Sequence, residues 1–261
     1  TYFYRFKKFA IKNNLEIHLI SSKEKIINYL KRKKPNIMIV CGYYNVLTPR
    51  VLSIVKNGVW GIHNSLLPKY RGGSPLVWQL INGEKKIGST IFKFSKGIDD
   101  GPILRQIKIH QSSRLDINHA TNLIEQKWKK EIPLFWKKFC EGKYILKKQN
   151  QKNATYFKIR NEKDGLIDWR KSSKDINNFI KAQSFPYPGA YFFIKKLKIR
   201  ILDYNFYNKK ILGKPGEIYK AKNNYISIIC GNNSAIKITK INKVNDKSFS
   251  FIKLRKILRT A

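Results

Sequence analysis

The first half of the chain switches between two hydrophobic periods. Residues 2 to 13 (YFYRFKKFAIKN) mix apolar and basic positions at roughly helical spacing, and LEIHLI then alternates as a short strand. SSKEKIINYLKRKK follows with a Ser cap, apolar positions at helical spacing and a basic last turn that suits the helix dipole, and Pro35 ends it. NIMIVCG is a continuous apolar run, the pattern of a parallel strand buried on both faces. TPRVLSIVKNG predicts a helix entered at Thr48, with Pro49 in its first turn and Gly58 as its stop, and VWGIH is the next strand. Alternating strands and helices predict an α/β fold, a doubly wound and mainly parallel sheet with right-handed crossovers. In such sheets ligands bind beyond the carboxyl ends of the strands. CGYYNVL and HNSLLPKYRGG occupy such ends, so the two loops are expected side by side with His63 facing the crevice.

Further on, SPLVWQLINGE reads as a helix with a Gly stop, and GSTIFKFS as a strand with alternating faces. GIDDGPILRQIKIH is a turn and a returning strand. LDINHATNLIEQKWKKEIPLFWKKFCEG is a long amphipathic helix, with Trp128 and Trp136 on or near its apolar face as packing residues. The polar run KKQNQKNATYFKIRNEKDG reads as a linker. After it come a helix (KDINNFIKAQSF), a proline corner (PYPGAYFF) and short strands separated by turns (LKIRILDYN, GEIYKAKN, YISIICG, SAIKITKI), the pattern of a small barrel. The expected organisation is therefore a catalytic domain over residues 1–148, a linker over 149–165 and a barrel domain over 166–261.

Composition narrows the partners. With 261 residues and 42% hydrophobic content the chain can bury a proper core. Its net charge of +38 is spread along the whole length and accompanies heavy use of Ile, Asn, Tyr and Phe, so it reads as a bias on exposed positions rather than a local basic groove. General nucleic-acid binding is not expected on that ground. Cys41, Cys140 and Cys230 have no paired spacing, which argues against a zinc knuckle or a disulfide framework and fits a reducing cytoplasm. No stretch approaches the ~20 apolar residues of a membrane span, and no apolar signal core opens the chain. The first residue is Thr and the single methionine, Met38, falls inside a predicted strand, so the expectation is an N-terminally incomplete chain.

Two local features carry chemistry. His63, one of four histidines, ends the VWGIH strand, and GIDDGP places two adjacent acids in a Gly-flanked turn. Taken alone, a histidine at a strand end is most often a hydrogen-bonded packing residue, and such a turn is most often solvated. The strand between them runs back across the sheet, which brings the turn towards the crevice. A histidine and a carboxylate converging there can move protons and stabilise an oxyanion. With no second histidine at ligand spacing and no cysteine cluster, no metal is expected.

HNSLLPKYRGGSPLVWQLINGE, followed by IGSTIFKFSKGIDDGPIL, resembles the signature region of the formyltransferases that use 10-formyltetrahydrofolate. The likeness lies in the SLLP loop after the histidine, the RG that follows, the NGE helix end and the Gly-x-Asp turn. DGLIDW and PYPGAYF resemble the family's linker and C-terminal barrel, so the likeness covers nearly the whole chain. It implies a Rossmann-like formyltransferase fold with a small OB-like β-barrel, 10-formyltetrahydrofolate as co-substrate and no metal. Carried over by position, His63 and Asp99 are the catalytic pair, Asn45, Val46, Leu47, Gly97 and Ile98 bind the folate, and Ser65, Arg71 and Gly72 bind the acceptor. The implied mechanism is direct attack of an uncharged primary amine on the formyl carbon. His63 stabilises the oxyanion, and Asp99 orients His63 and helps move protons.

Two departures accompany the resemblance. Where the family usually has Asn-x-His, this chain has Gly61, and loss of one oxyanion donor can cost about 100- to 1,000-fold in rate. Asn64 is the candidate replacement amide, although strand alternation points it away from His63. The family's first strand, helix and second strand, roughly 30–50 residues, are also expected to be missing. RGGSPLVW stands where the methionyl-tRNA enzymes usually have RGAAPI, which favours a nucleotide-linked amino sugar as acceptor. The alternative is initiator methionyl-tRNA, supported by the basic charge and the barrel-like C-terminal domain. Trp78 and Tyr187 are read as core residues rather than substrate contacts.

Overall fold

A computed structural model describes residues 2–43, 45–112, 115–207, 210–243 and 249–259. The chain forms two compact units, Thr1–Trp60 and Gly61–Ala261. Among the described residues no helix is long and apolar enough to cross a membrane.

In the first unit, helices α1 (Tyr2–Lys12) and α2 (Lys23–Lys33) precede strand β1 (Met38–Val40), helix α3 (Pro49–Ile54) and the opening of strand β2 (Val59–His63). The helix starts follow the predicted chemistry. The Ser22 side chain accepts from the Lys25 N–H at 3.2 Å, Thr48 accepts from Val51 N–H at 3.4 Å, and Pro49 occupies the first turn of α3. Helix α2 packs on α3, and the Met38 N–H donates to the Gly58 carbonyl at 3.4 Å, beside the start of β2. Two expectations are corrected. LEIHLI forms no strand: residues 15 to 20 have no regular structure, and with Leu15, Ile17 and Leu19 exposed there is no buried face to fix a register. β1 is not buried on both faces either, because Ile39 is 49% exposed.

The second unit begins inside β2. Helix α4 (Pro75–Ile81) leads from there to β4 (Lys86–Lys93), which lies beside β2, and β5 (Ile103–His110) returns antiparallel to β4 in the register Lys86↔His110 to Ile91↔Arg105. Helix α5 (Ile117–Cys140), capped by the Asp116 carboxylate on the His119 N–H at 2.8 Å, packs on β5. Trp128 is buried as expected, whereas Trp136 is 42% exposed.

The predicted linker is a structural element. Its Tyr156–Phe157 strand, β6, pairs in parallel with the short strand β3 (Arg71–Gly72), and 3-10 turns at Gln151–Asn153 and Glu162–Gly165 flank it. Two-residue strands carry no readable period, so polarity dominated the sequence pattern there. Beyond it, helix α6 (Ser173–Ala182) packs against a five-stranded antiparallel half-barrel in the order β7 (Tyr191–Ile194), β8 (Leu197–Tyr207), β11 (Ser234–Lys243), β10 (Ile226–Cys230), β9 (Ile218–Ala221), with α7 (Phe251–Arg259) closing the chain. Ile176 and Ile180 of α6, Phe192, Ile228 and Ile236 of the sheet and Leu254 of α7 share one buried cluster, the small barrel-like core that the short strands predicted.

Candidate active site

His63 is the last residue of β2 and is only 9% exposed. Its Nε2 lies 2.7 Å from the Tyr70 carbonyl oxygen. A carbonyl can only accept, so Nε2 carries the hydrogen and Nδ1 is the basic nitrogen of the neutral ring. Nδ1 faces the Asp99 Oδ2 at 3.5 Å, and the ring edge meets Phe92 with centroids 6.4 Å apart.

Asp99 sits in a turn that its sequence dictates. Its own φ is +48°, a left-handed conformation that Asp tolerates better than most residues. A side chain on Gly101 would meet the Lys93 carbonyl oxygen at 1.7 Å, so the second glycine of GIDDG is a close backbone approach. Ser95 hydrogen-bonds the Asp100 carboxylate, which leaves Asp99 as the acid that turns to the histidine. The Asp99 Oδ2 also accepts from the Gly72 N–H at 2.8 Å. Gly72 and Gly73 are pressed against the segment beyond β6: a Cβ would meet the Phe157 carbonyl oxygen at 2.5 Å and the Ile159 Cα at 2.3 Å respectively.

Arg71 is fully buried, at 0% exposure. Its Nε and Nη2 donate to the Gln149 Oε1 at 3.2 and 2.7 Å, and its Nη1 donates to Gln151 Oε1 at 2.8 Å and to the Tyr156 hydroxyl at 2.7 Å. An enclosed guanidinium with all three nitrogens engaged braces the segments around it. Ser65 is likewise enclosed at 0% exposure, its hydroxyl donating to the Lys69 carbonyl at 2.7 Å.

Asn64 does not join His63. Its Oδ1 accepts from the Ser89 hydroxyl on β4 at 2.9 Å, as strand alternation requires. Gly61, on the same face of β2 as His63, has no room for a side chain, because a Cβ there would meet Phe94 Cε2 at 2.6 Å and Phe92 Cε1 at 2.8 Å. Gly97 and Ile98 are exposed on the Asp99 turn. In the first unit, Asn45 and Val46 are exposed and Leu47 is buried, lining an apolar groove of about 430 Å³ with Met38, Val40, Cys41 and Tyr43; Tyr44 of the CGYYNVL loop lies outside the described residues. A broader groove of about 920 Å³ in the second unit is lined by Lys69, Tyr70, Glu84, Lys86 and Lys108 among others, and neither His63 nor Asp99 is among its walls.

A family profile described as formyl transferase matches residues 7–133, and one described as formyl transferase, C-terminal domain, matches residues 158–253. The methionyl-tRNA formyltransferase of Caldanaerobacter subterraneus subsp. tengcongensis is 33% identical over 241 residues, which cover 89% of this chain and 71% of that protein. This chain belongs to the formyltransferase family. The bifunctional polymyxin resistance protein ArnA of Wigglesworthia glossinidia brevipalpis is 36% identical over 255 residues, 90% of this formyltransferase, which spans 36% of ArnA. Among solved structures the fold resembles WlaRD, a sugar 3N-formyl transferase in the presence of dTDP and 5-N-formyl-THF, at a TM-score of 0.66 and 21% identity over 92% of this chain and 81% of that one. It equally resembles the N-formyltransferase from Helicobacter canadensis in complex with folinic acid and dTDP-3-aminofucose, at a TM-score of 0.66 and 20% identity over 89% and 81% of the two chains.

Sequence reasoning on this formyltransferase missed the brace around the pair. Tyr70, whose carbonyl holds the imidazole, stands inside the quoted loop, yet nothing in its residue type marks a backbone role. Gln149 donates to the Asp99 and Gly101 carbonyls at 2.8 and 2.7 Å from a segment read as linker. The available signal was an amide-rich run, QNQKN, too polar for a core and too short for a strand. The Tyr70 hydroxyl donates to Glu84 Oε1 at 2.7 Å and accepts from Asn82 Nδ2 at 3.1 Å, and burial followed by the Glu84 bond pushes its pKa up to about 12.

Proposed function

We propose that this formyltransferase moves a formyl group from 10-formyltetrahydrofolate to the primary amine of a nucleotide-linked amino sugar. The observation that carries the reading is the enclosed His63–Asp99 pair at the carboxyl end of β2, with its tautomer fixed by the Tyr70 carbonyl. The folate supplies the formyl carbon: the amine–carbon bond forms to give a tetrahedral oxyanion, its collapse breaks the carbon–N10 bond, and one proton passes from the amine to N10. Nδ1 of His63 takes the proton released by the attacking amine, and the Asp99 carboxylate beside it stabilises the imidazolium. That protonated ring supplies positive charge to the oxyanion and returns its proton to the leaving nitrogen. Gly61 brings no amide to this step, which places more of the oxyanion's stabilisation on His63. Asp99, whose side chain keeps 16% exposure, orients the ring and exchanges protons with water.

The residues assigned to the folate are Asn45, Val46 and Leu47 in the first unit and Gly97 and Ile98 in the second. Within the first unit, the chemistry of the three loop residues suits a flat heteroaromatic ring with a polar edge. The groove at Leu47 has apolar walls with an exposed amide, Asn45, in the same loop, and Ile98 presents an apolar side chain at 52% exposure next to Asp99. The Gly72 N–H is used by Asp99, so its contribution to the acceptor side is to hold the carboxylate.

For the acceptor, the second glycine of RGG has a backbone reason in Ile159. Further support for an amino sugar comes from the AQSFPYPGAY and DGLIDW forms, which resemble the sugar enzymes, and from the sugar N-formyltransferases among the similar structures. A second reading, initiator methionyl-tRNA as acceptor, is favoured by the 33% identical methionyl-tRNA formyltransferase and the net charge of +38.

The deciding assay offers 10-formyltetrahydrofolate with a panel of nucleotide-linked amino sugars and, separately, charged initiator tRNA, and reads formylated product by mass spectrometry. Sugar formylation is expected, and His63→Ala should lower it by about 1,000-fold or more without unfolding the protein. Product on the tRNA alone would reassign the acceptor; full activity in His63→Ala would overturn the mechanism.

A further inference from the structure

We propose that Gln149 is a positioning residue of the formyl-transfer site, one that sets Asp99 against His63 from the far end of the catalytic fold. The inference rests on the reading of His63 and Asp99 given above. Gln149 is 8% exposed, and the hydrogen-bonding capacity of its amide is directed inward. Nε2 donates to the Asp99 carbonyl at 2.8 Å and to the Gly101 carbonyl at 2.7 Å, bracketing the turn that holds the acid in its left-handed conformation. Oε1 accepts two bonds from Arg71, at 3.2 Å from Nε and 2.7 Å from Nη2. Arg71 immediately precedes Gly72, whose N–H binds the Asp99 carboxylate at 2.8 Å. One side chain therefore grips Asp99 through its backbone on one side and, through Arg71, the strand that hydrogen-bonds its carboxylate on the other.

The partners explain why an amide is required. Two carbonyl oxygens need donors and the guanidinium needs an acceptor, and a glutamine meets both demands with one planar group. A methionine of similar volume meets neither. A glutamate keeps the acceptor for Arg71, and improves it by charge, but sets an oxygen against the two carbonyls of the turn. Glutamate thus separates the two roles: bracing Arg71 and aiming Asp99.

The test compares Gln149→Glu and Gln149→Met with the unmodified protein in three readouts: kcat and KM for both substrates, thermal midpoint, and hydrogen exchange of the Gly72 amide by NMR. Misplacing a catalytic group by a fraction of an ångström to an ångström is expected to lower kcat by about 10- to 100-fold in both variants, with each KM within about twofold. Gly72 exchange should quicken by about tenfold or more in both, because its acceptor has moved. Gln149→Glu, which keeps the bonds to Arg71, should lower the thermal midpoint less than Gln149→Met, and kcat is read well below both midpoints so that its loss is not a loss of fold. Unchanged kcat and unchanged Gly72 exchange in Gln149→Glu would overturn the proposal and leave Gln149 a brace for Arg71 alone. If the unmodified protein formylates no amine, the functional reading falls, while the exchange data still decide whether Gln149 sets the Asp99 turn.

Discussion

Positions 61 and 63 stand two residues apart on one face of β2, and their surroundings are opposites. Around His63 polar groups converge: the Tyr70 carbonyl, the Asp99 carboxylate and, behind them, Gly72, Arg71 and Gln149. Around Gly61 two phenylalanine rings fill the space and no hydrogen bond is possible from a side chain. The difference shows that this region has a half built by hydrogen-bond geometry, which fixes atoms in place, and a half built by apolar packing of Phe92 and Phe94 against β2. On the proposed mechanism, a chain lacking an amide at 61 relies on the polar half alone for the oxyanion.

The largest effect is expected from breaking the polar half at its centre. Arg71→Ala removes a fully buried guanidinium and strands the acceptors of Gln149, Gln151 and Tyr156, which should cost about 3 kcal/mol or more in denaturant unfolding. Were Arg71 an acceptor ligand instead, stability would hold and only KM would rise. The apolar half is probed by Gly61→Asn. Alone it forces a side chain into Phe92 and Phe94 and should destabilise by about 1–3 kcal/mol. Combined with Phe94→Ala only the Phe92 contact at 2.8 Å is left to shift, and turnover is expected to exceed that of Phe94→Ala alone by about tenfold or more if an oxyanion donor is gained. Equal turnover in the two would show that the polar half already meets the need.

The smallest effect lies at the edge of the polar half. In the folded protein the Tyr70 phenol titrates near 12, against 10.0 for the free group, so folding favours its neutral form. Stability from this group is complete below pH 10 and is lost as the pH rises from 10 towards 12. The urea midpoint should fall over that window, and Tyr70→Phe, at a cost of about 1 kcal/mol for its hydrogen bonds, should flatten that part of the profile.

The parts legible in the sequence were those whose cause lies nearby. Thr48 and Pro49 start α3, Asp116 starts α5, and His63 and Asp99 stand in motifs whose glycines the backbone demands. Residues 15 to 20 alternate like a strand, but no buried face holds them to one. The burial of Arg71 was not legible, because the partners that enclose it lie 78 to 85 residues further along the chain. Gln149 was hidden for the same reason. No local pattern records a contact of that span.

That span also governs when the site comes into being. The Tyr70 N–H donates to the Thr155 hydroxyl and the Arg71 N–H to the Thr155 carbonyl, each at 2.8 Å, so β3 has no seat until residues 155 to 157 exist. At roughly 5–20 residues per second a ribosome takes about 3–12 s to reach residue 157 after Asp99 is made. Throughout that interval the nascent chain carries its histidine and aspartate without the frame that aligns them. The alignment of His63 with Asp99 is thus completed only when a stretch distant in sequence arrives to close the clamp.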